Sequence, residues 1–294
     1  MAALIGLRAL IAVALFAGGA AASAAVSAVD DQGRTVILAK PATRIVSLAP
    51  HATELLYAAG AGDRIVGVLS TSDWPPEAKT KRRVGDAHRL DMERILMLAP
   101  ELVVTWPYSA TGEVATLRAR GVPVFITDPT TIAGIAADIE RLGVLAGTHA
   151  AAAERAREFR AKLDRLGERR AVSRPVRVFY EIWNEPLYTI GGKHLISEAI
   201  RICGGENVFA SLTLPAPEVS VEAVLAARPD AIIAGTDGAE RPAWLDDWKR
   251  WPSLPAVARS HLYTVDANLL HRPGPRFLDG MEDLCAVLDA ARRH

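Results

Sequence analysis

The chain has 294 residues, half of them hydrophobic, and its 34 basic side chains are balanced by 34 acidic ones. A formal net charge of zero argues against a polyanion such as nucleic acid as partner, because neither sign of charge dominates the surface. The length beyond a short leader suits two lobes of ordinary domain size, each able to bury its own core.

Residues 1–28 read as a secretory signal peptide outside the fold. Arg8 is the only charge before Asp30, residues 9–16 are apolar, and small residues lead to Ala22-Ser23-Ala24. Cleavage is expected near Ala24 or, at the second small-residue site, near Ala28. An uncleaved membrane anchor is the alternative, although the apolar core is short for a bilayer span. Export would place the two cysteines, Cys203 and Cys285, in an oxidising compartment, where an even pair usually closes a disulfide. Closing a loop of about 80 residues would contribute roughly 4 kcal/mol in the chain-entropy model. Zinc binding by this pair lacks the CxxC spacing.

In chain order, residues 29–38 alternate around Gly33 and predict a small hairpin. A buried strand follows at 44–48, then the loop Ala49-Pro50-His51, and a helix over 54–59 capped by Thr53 and stopped at Gly60. Further strands are predicted at 65–68, 102–105 and 122–127, with a helix over 114–120. This alternation predicts a mainly parallel sheet covered on both faces. Residues 148–170 are rich in helix formers, carry Phe159, Leu163 and Leu166 at helical spacing, and meet no breaker before Gly167. One helix of about 20 residues spans roughly 30 Å, enough to join two lobes. The second lobe repeats the plan: a strand at 177–182, a loop at 183–192, a helix at 195–203 ending in Gly204-Gly205, strands at 231–234 and 261–265, and a closing helix at 275–292.

Two segments align without a gap, LDMERILMLAPELVV from Leu90 and VSVEAVLAARPDAII from Val219. Each has a capping residue (Asp91, Ser220), a glutamate two positions later (Glu93, Glu222), a short apolar helix, a proline turn and a strand. A repeated helix–turn–strand unit implies two similar α/β lobes. The expected organisation is an N-terminal lobe over 29–146, a bridging helix over 147–171 and a C-terminal lobe over 172–294.

Together with RIVSLAPHATELLYAAGAGDRIVGV from Arg44 and HLISEAIRICGGENVF from His194, these segments resemble the periplasmic substrate-binding proteins of metal-chelate ABC importers. Among them, the ICGGENVF run, its paired Cys285 and PEVSVE are most similar to the vitamin B12 (cobalamin) branch. The resemblance covers the chain from about residue 40 to its end. It implies two α/β lobes joined by one rigid helix, a monomer that holds a corrinoid between the lobes, and delivery to a permease dimer with no resident cofactor. It further implies that Glu93 and Glu222, one on each lobe, meet arginines of the permease. Their ordinary role, complementing a helix dipole for about 0.3–1 kcal/mol, is the simpler account.

A ligand between such lobes lies beyond the carboxyl ends of the strands. That rule selects Pro50, His51, Trp74, His88, Trp106 and Tyr108 from the first lobe, and Trp183, Tyr188, Asn268, His271 and Arg272 from the second. A corrinoid is a flat, amide-fringed disc, so aromatic faces with a few amide and hydroxyl partners suit it. B12 receptors often offer an aromatic where this chain has Ala87-His88, so a different aromatic set is implied here. Trp244, Trp248 and Trp251 fall at near-helical spacing and read as lobe packing. The seven histidines are scattered and form no metal-binding loop; His88 and His271 are the best placed for any axial bond to a chelated metal. A haem or ferric-siderophore receptor of the same superfamily is the alternative. An exported enzyme is the competing class, but no GxSxG, HExxH or P-loop pattern supports catalytic residues.

Overall fold

In a computed structural model the described residues are 24–108, 110–168, 174–237 and 241–293. The chain enters through an antiparallel hairpin of β1 (Val26–Val29) and β2 (Thr35–Leu38), with Val26 opposite Leu38. The hairpin therefore takes in three residues expected to precede the fold. Cleavage near Ala24 keeps β1 whole, whereas cleavage near Ala28 would remove most of it; residues 1–23 of the leader lie outside the described residues.

The first lobe continues through β3 (Ile45–Ser47), α1 (Pro50–Ala58), β4 (Ile65–Val68), α2 (Met92–Met97), β5 (Leu102–Thr105), α3 (Thr111–Ala119) and β6 (Val124–Ile126). Two helices follow, α4 (Ile132–Ala146) and α5 (His149–Glu168). The second lobe holds β7 (Val176–Glu181), a small hairpin of β8 (Trp183–Asn184) and β9 (Leu187–Tyr188), α6 (Leu195–Ile202), β10 (Gly205–Asn207), α7 (Val221–Ala227) and β11 (Ala231–Thr236). It closes with α8 (Pro255–Ala258), β12 (Leu262–Asp266), α9 (Ala267–Leu270) and α10 (Phe277–Arg293).

Each lobe carries a four-stranded parallel sheet, ordered β4-β3-β5-β6 in the first and β10-β7-β11-β12 in the second. Read by position within a lobe, both orders are second–first–third–fourth. The duplicated unit is thus repeated in topology as well as in residues. Asp91 accepts from the amide of Arg94 and Ser220 from that of Ala223, so both helices start with the same side-chain cap. Each unit also turns through a left-handed residue just before its proline, Ala99 in one and Arg228 in the other.

Helix α1 begins four residues earlier than the sequence predicts. Pro50 sits in its first turn, where a fixed φ and a missing N–H cost nothing. Thr53 is consequently no cap. Its buried hydroxyl bonds Ser47 Oγ at 2.8 Å and lies 2.9 Å from Ser72 Oγ, pinning α1 to the ends of β3 and β4.

The predicted bridging helix exists as α5, but it is one arm of a helical hairpin whose other arm, α4, has no counterpart in the sequence reading. Gly147 turns between them at φ +66°. At Gly143 a Cβ would lie 2.2 Å from that of Ala152, so glycine permits the close approach of the two helices. Arg160 of α5 makes paired 2.7 Å bonds to Glu140 of α4, while Lys162 reaches Asp279 at 2.6 Å and Glu282 at 3.0 Å on α10. The helix is tied to both lobes.

Apolar burial follows the same plan. One continuous core runs through both lobes and includes residues of α1, α4, α5, α6 and α10. The outer faces are covered separately, by α2 and α3 in the first lobe and by α7 and α8 with Leu245 and Trp248 in the second. Because the central core is shared, moving one lobe against the other would expose apolar surface.

Candidate functional site

Parallel strands direct their carboxyl ends to one edge of each sheet, and the loops leaving β3, β5 and β6 build the first wall of a cleft. Trp106 follows β5 directly and donates its indole N–H to Asp128 Oδ1 at 3.2 Å; the Tyr108 hydroxyl donates to Oδ2 at 3.2 Å. The two rings meet edge to face, with centroids 5.0 Å apart. Asp128 is seated from behind, since its amide donates to Asp31 of the entry hairpin at 2.6 Å. Burial pushes the Asp128 carboxyl up, against the two aromatic donors.

His51 packs edge-on against Trp106 with centroids 5.6 Å apart and is buried. Burial lowers its pKa to about 4, against the opposing pull of the Thr127 carbonyl, so the imidazole is neutral at pH 7. Its Nε2 is buried without a hydrogen-bond partner among the described residues. Pro50 beside it is half-buried at the start of α1.

The second wall rises from β7, β11 and β12. Trp183 and Tyr188 lie opposite one another across the β8–β9 hairpin. Trp183 is 56% exposed, yet its N–H is fixed to the Glu185 carbonyl at 2.8 Å, so the indole is held while its face stays open. His271 lies with Nε2 3.0 Å from the hydroxyl of the buried Tyr180. Burial lowers the His271 pKa, with Asp237 and Asp266 opposing. It fits only because residue 235 is glycine: a Cβ there would stand 2.7 Å from the imidazole. Asn268 donates to the Asp237 carbonyl at 3.2 Å and accepts from Arg272 at 2.8 Å.

Between the walls runs an ionic floor. Glu54 of α1 accepts from Arg276 at 2.6 and 3.0 Å, and Arg272 lies 3.5 Å from the same carboxylate. Arg272 also bonds Asp73 at 2.6 Å. The Arg276 guanidinium stacks over the Trp74 ring at 4.8 Å. Two predicted ligand residues, Trp74 and Arg272, are therefore engaged in contacts between the lobes. Trp74 also lines a cavity of about 760 Å³ on the flank of α5, shared with Arg155, Glu158 and Lys162. Glu54 and Arg276 line it as well, so it runs from the ionic floor along a helix of mixed charge, and neither Trp106 nor Tyr108 lines it.

Glu93 and Glu222 occupy the second position of α2 and α7, and both are exposed. The Glu222 carboxyl is held below its usual range by its own amide and by Ser220. His88 is exposed in the turn before α2, where its amide donates to Asp86 at 2.8 Å, outside the cluster formed by His51, Trp106 and Tyr108.

Sequence reasoning missed Asp128, Glu54 and Asp73, whose partners are 20 to 222 positions away in the chain. Only the position of Asp128, just past a predicted strand, offered a signal. The tryptophans divide. Trp248 is buried, edge-on to Phe179 and bonded to Glu181 at 2.8 Å, and Trp251 packs on it, as lobe packing requires. Trp244 packs on that core only partly and also lines a cavity with Trp183. Cys203 and Cys285 form a disulfide between the end of α6 and α10.

Among the described residues no group of three or more His, Cys, Asp or Glu could hold a metal ion. None of their helices is long and apolar enough to cross a membrane.

The family model for periplasmic binding proteins matches residues 45–269, from β3 of the first lobe into α9 of the second. The chain belongs to the periplasmic binding protein family. It is 35% identical over 258 residues to a vitamin B12-binding protein of Vibrio parahaemolyticus, covering 86% of this chain and 92% of that one. The crystal structure of the periplasmic vitamin B12 binding protein of Vibrio cholerae superposes with a TM-score of 0.78 at 36% identity, covering 86% of this chain and 99% of the other. A periplasmic heme-binding protein of Roseiflexus in its apo form superposes with a TM-score of 0.73 at 28% identity, covering 85% and 98%. Membership makes the chain a transport-type binding protein of the periplasm, not an enzyme.

Proposed function

We propose that the cleft captures a corrinoid of the vitamin B12 type and presents it to the permease of an ABC importer. The observation that carries the reading is the pair of aromatic walls: Trp106 and Tyr108 held by Asp128 on one lobe, Trp183 and Tyr188 set by a hairpin on the other. Aromatic faces fixed by hydrogen bonds suit the disc, and the polar groups of His51, Asn268 and Arg272 suit its amide fringe. The B12-binding relatives support the same choice. A haem receptor would want a histidine free to reach iron; here His271 Nε2 is engaged with Tyr180, His51 is buried, and His88 lies outside the aromatic cluster.

In this reading residues up to Ala24 are removed on export, and the mature protein acts as a monomer. Glu93 and Glu222 present a symmetric pair of carboxylates to a two-fold permease dimer, which favours orientation and encounter rate over affinity. Shared core and cross-lobe ion pairs mean that capture needs little closure of the lobes.

Titration calorimetry with cyanocobalamin, cobinamide and haemin tests the reading. Saturable binding of cyanocobalamin is expected. Binding of haemin with no heat from either corrinoid would replace the reading with the haem alternative.

A further inference from the structure

The entry hairpin precedes the span matched by the family model, yet it is bonded to the wall that carries Trp106 and Tyr108. The Asp31 amide donates to the Ile126 carbonyl at 3.1 Å, and Asp31 Oδ2 accepts from the Asp128 amide at 2.6 Å. Asp31 is itself held in place. Its neighbour Asp30 is buried and accepts from the amides of Gln32 and Arg34 at 3.0 and 2.8 Å, which fixes the hairpin turn. Asp31 Oδ1 accepts from Arg141 of α4, whose guanidinium also bonds Asp138 and, at 3.0 Å, the Val29 carbonyl. Asp138 is buried in turn and accepts from the Thr127 hydroxyl at 2.8 Å.

Residues 127 and 128 are therefore gripped from behind by Asp31 and Asp138, while in front they hold the cleft. Asp128 accepts from both aromatic rings, and the Thr127 carbonyl bonds His51. The Thr127 amide donates to Thr105 at 3.0 Å, one residue before Trp106. Whatever fixes the backbone at residue 128 thus fixes the carboxylate from which both rings hang. Rings ordered in advance lose less freedom when a ligand arrives. A hairpin that merely anchored the start of the chain would add stability without touching affinity. We infer that Asp31 is a positioning residue for the ligand, acting from behind the wall through the Asp128 amide, so that the N-terminal hairpin is part of the binding device. The inference rests on the proposed use of the Trp106–Tyr108 wall and adds the residue that sets it.

The test uses the full mature chain as wild type, Asp31→Ala, Asp128→Ala and the double variant. Arg141 keeps Asp138 and the Val29 carbonyl as partners when Asp31 is removed, so the variant should fold, and thermal unfolding checks this. Ligand-free protein labelled with 5-fluorotryptophan gives the first readout, its fluorine lines assigned through Trp106→Phe and Trp248→Phe. Asp31→Ala should shift or broaden the Trp106 line and leave that of the buried Trp248 in place. Calorimetry with cyanocobalamin gives the second. Asp31→Ala should weaken binding roughly three- to tenfold, the range that one hydrogen bond spans. In the Asp128→Ala background the same change should add less than about twofold, because the two residues act in series. An unmoved Trp106 line, or losses that add in full in the double variant, would overturn the role of Asp31 and leave corrinoid capture intact. Failure of the wild type to bind cyanocobalamin would instead remove the proposed ligand, and the Trp106 line alone would then decide whether Asp31 orders the wall.

Discussion

Glu54 and Arg276, 222 positions apart in the chain, are joined by hydrogen bonds of 2.6 and 3.0 Å across the boundary between the lobes. The Glu54 side chain is 2% exposed and that of Arg276 20%, so the pair is largely sheltered from screening. The carboxylate also attracts Arg272, and Arg276 stacks on Trp74. Glu54→Gln leaves two guanidinium groups without their counter-charge. Breaking such a pair typically costs about 3–5 kcal/mol, and the partial exposure of Arg276 places the effect near the lower end. Urea unfolding of the variant should show a clearly reduced midpoint; an unchanged midpoint would refute the tie.

Asp128 holds both Trp106 and Tyr108. Asp128→Ala frees two rings whose ordering must then be supplied by ligand binding, at about 0.5–1.5 kcal/mol for each immobilised side chain. Cyanocobalamin affinity should fall roughly tenfold, while Tm changes little. A variant with full affinity would mean that the platform needs no such support.

Glu181 lies buried at the end of β7, and burial raises its pKa to about 7 despite the bond from Trp248. A carboxyl whose pKa is raised on folding binds more protons in the folded state, so stability falls as pH rises from about 4.5 to 7. The full effect is roughly 3 kcal/mol. Glu181→Gln keeps an acceptor for Trp248 and removes the titration. The stability difference between variant and wild type should therefore grow across that window and level off above it. A difference independent of pH would contradict this assignment.

The Cys203–Cys285 bond spans 82 positions. Opening it releases loop entropy in the unfolded chain, about 4 kcal/mol in the chain-entropy model. Reduction, or replacement of both cysteines by alanine, should lower the denaturation midpoint accordingly. A loss below about 1 kcal/mol would mean that the folded state gains from relief of the link.

Glu93 and Glu222 are exposed and take no part in the aromatic walls. Reversing both to lysine should abolish uptake in a reconstituted importer and leave ligand affinity and stability within error. Weaker ligand binding by the variant would place these carboxylates in the cleft chemistry instead.

Much of the fold was legible along the chain because it is built from local signals. Strand–helix alternation, the caps Asp91 and Ser220 and the glycine stops each act over a few residues, and the duplication at Leu90 and Val219 announced two lobes. Where local signals competed, reading failed: Thr53 looks like a cap, but Pro50 starts the helix first. Helix α4 is rich in alanine, glycine and isoleucine, and its place is set by packing on α5 and the entry hairpin.

By itself, the sequence determined the two-lobe α/β plan, the compartment-dependent cysteine pair and the set of loops from which a site could be drawn. Hydrophobic period, capping and turn chemistry are properties of neighbouring residues, so a linear reading recovers them. Only the tertiary structure decided what each loop residue does. Trp106 and Tyr108 became a platform because Asp128 lies within reach, Trp74 and Arg272 became part of a floor because Glu54, Asp73 and Arg276 meet there, and Trp244 turned partly toward Trp183. Hydrogen bonds and ring contacts act over a few ångströms, and only folding brings residues up to 222 positions apart within that range.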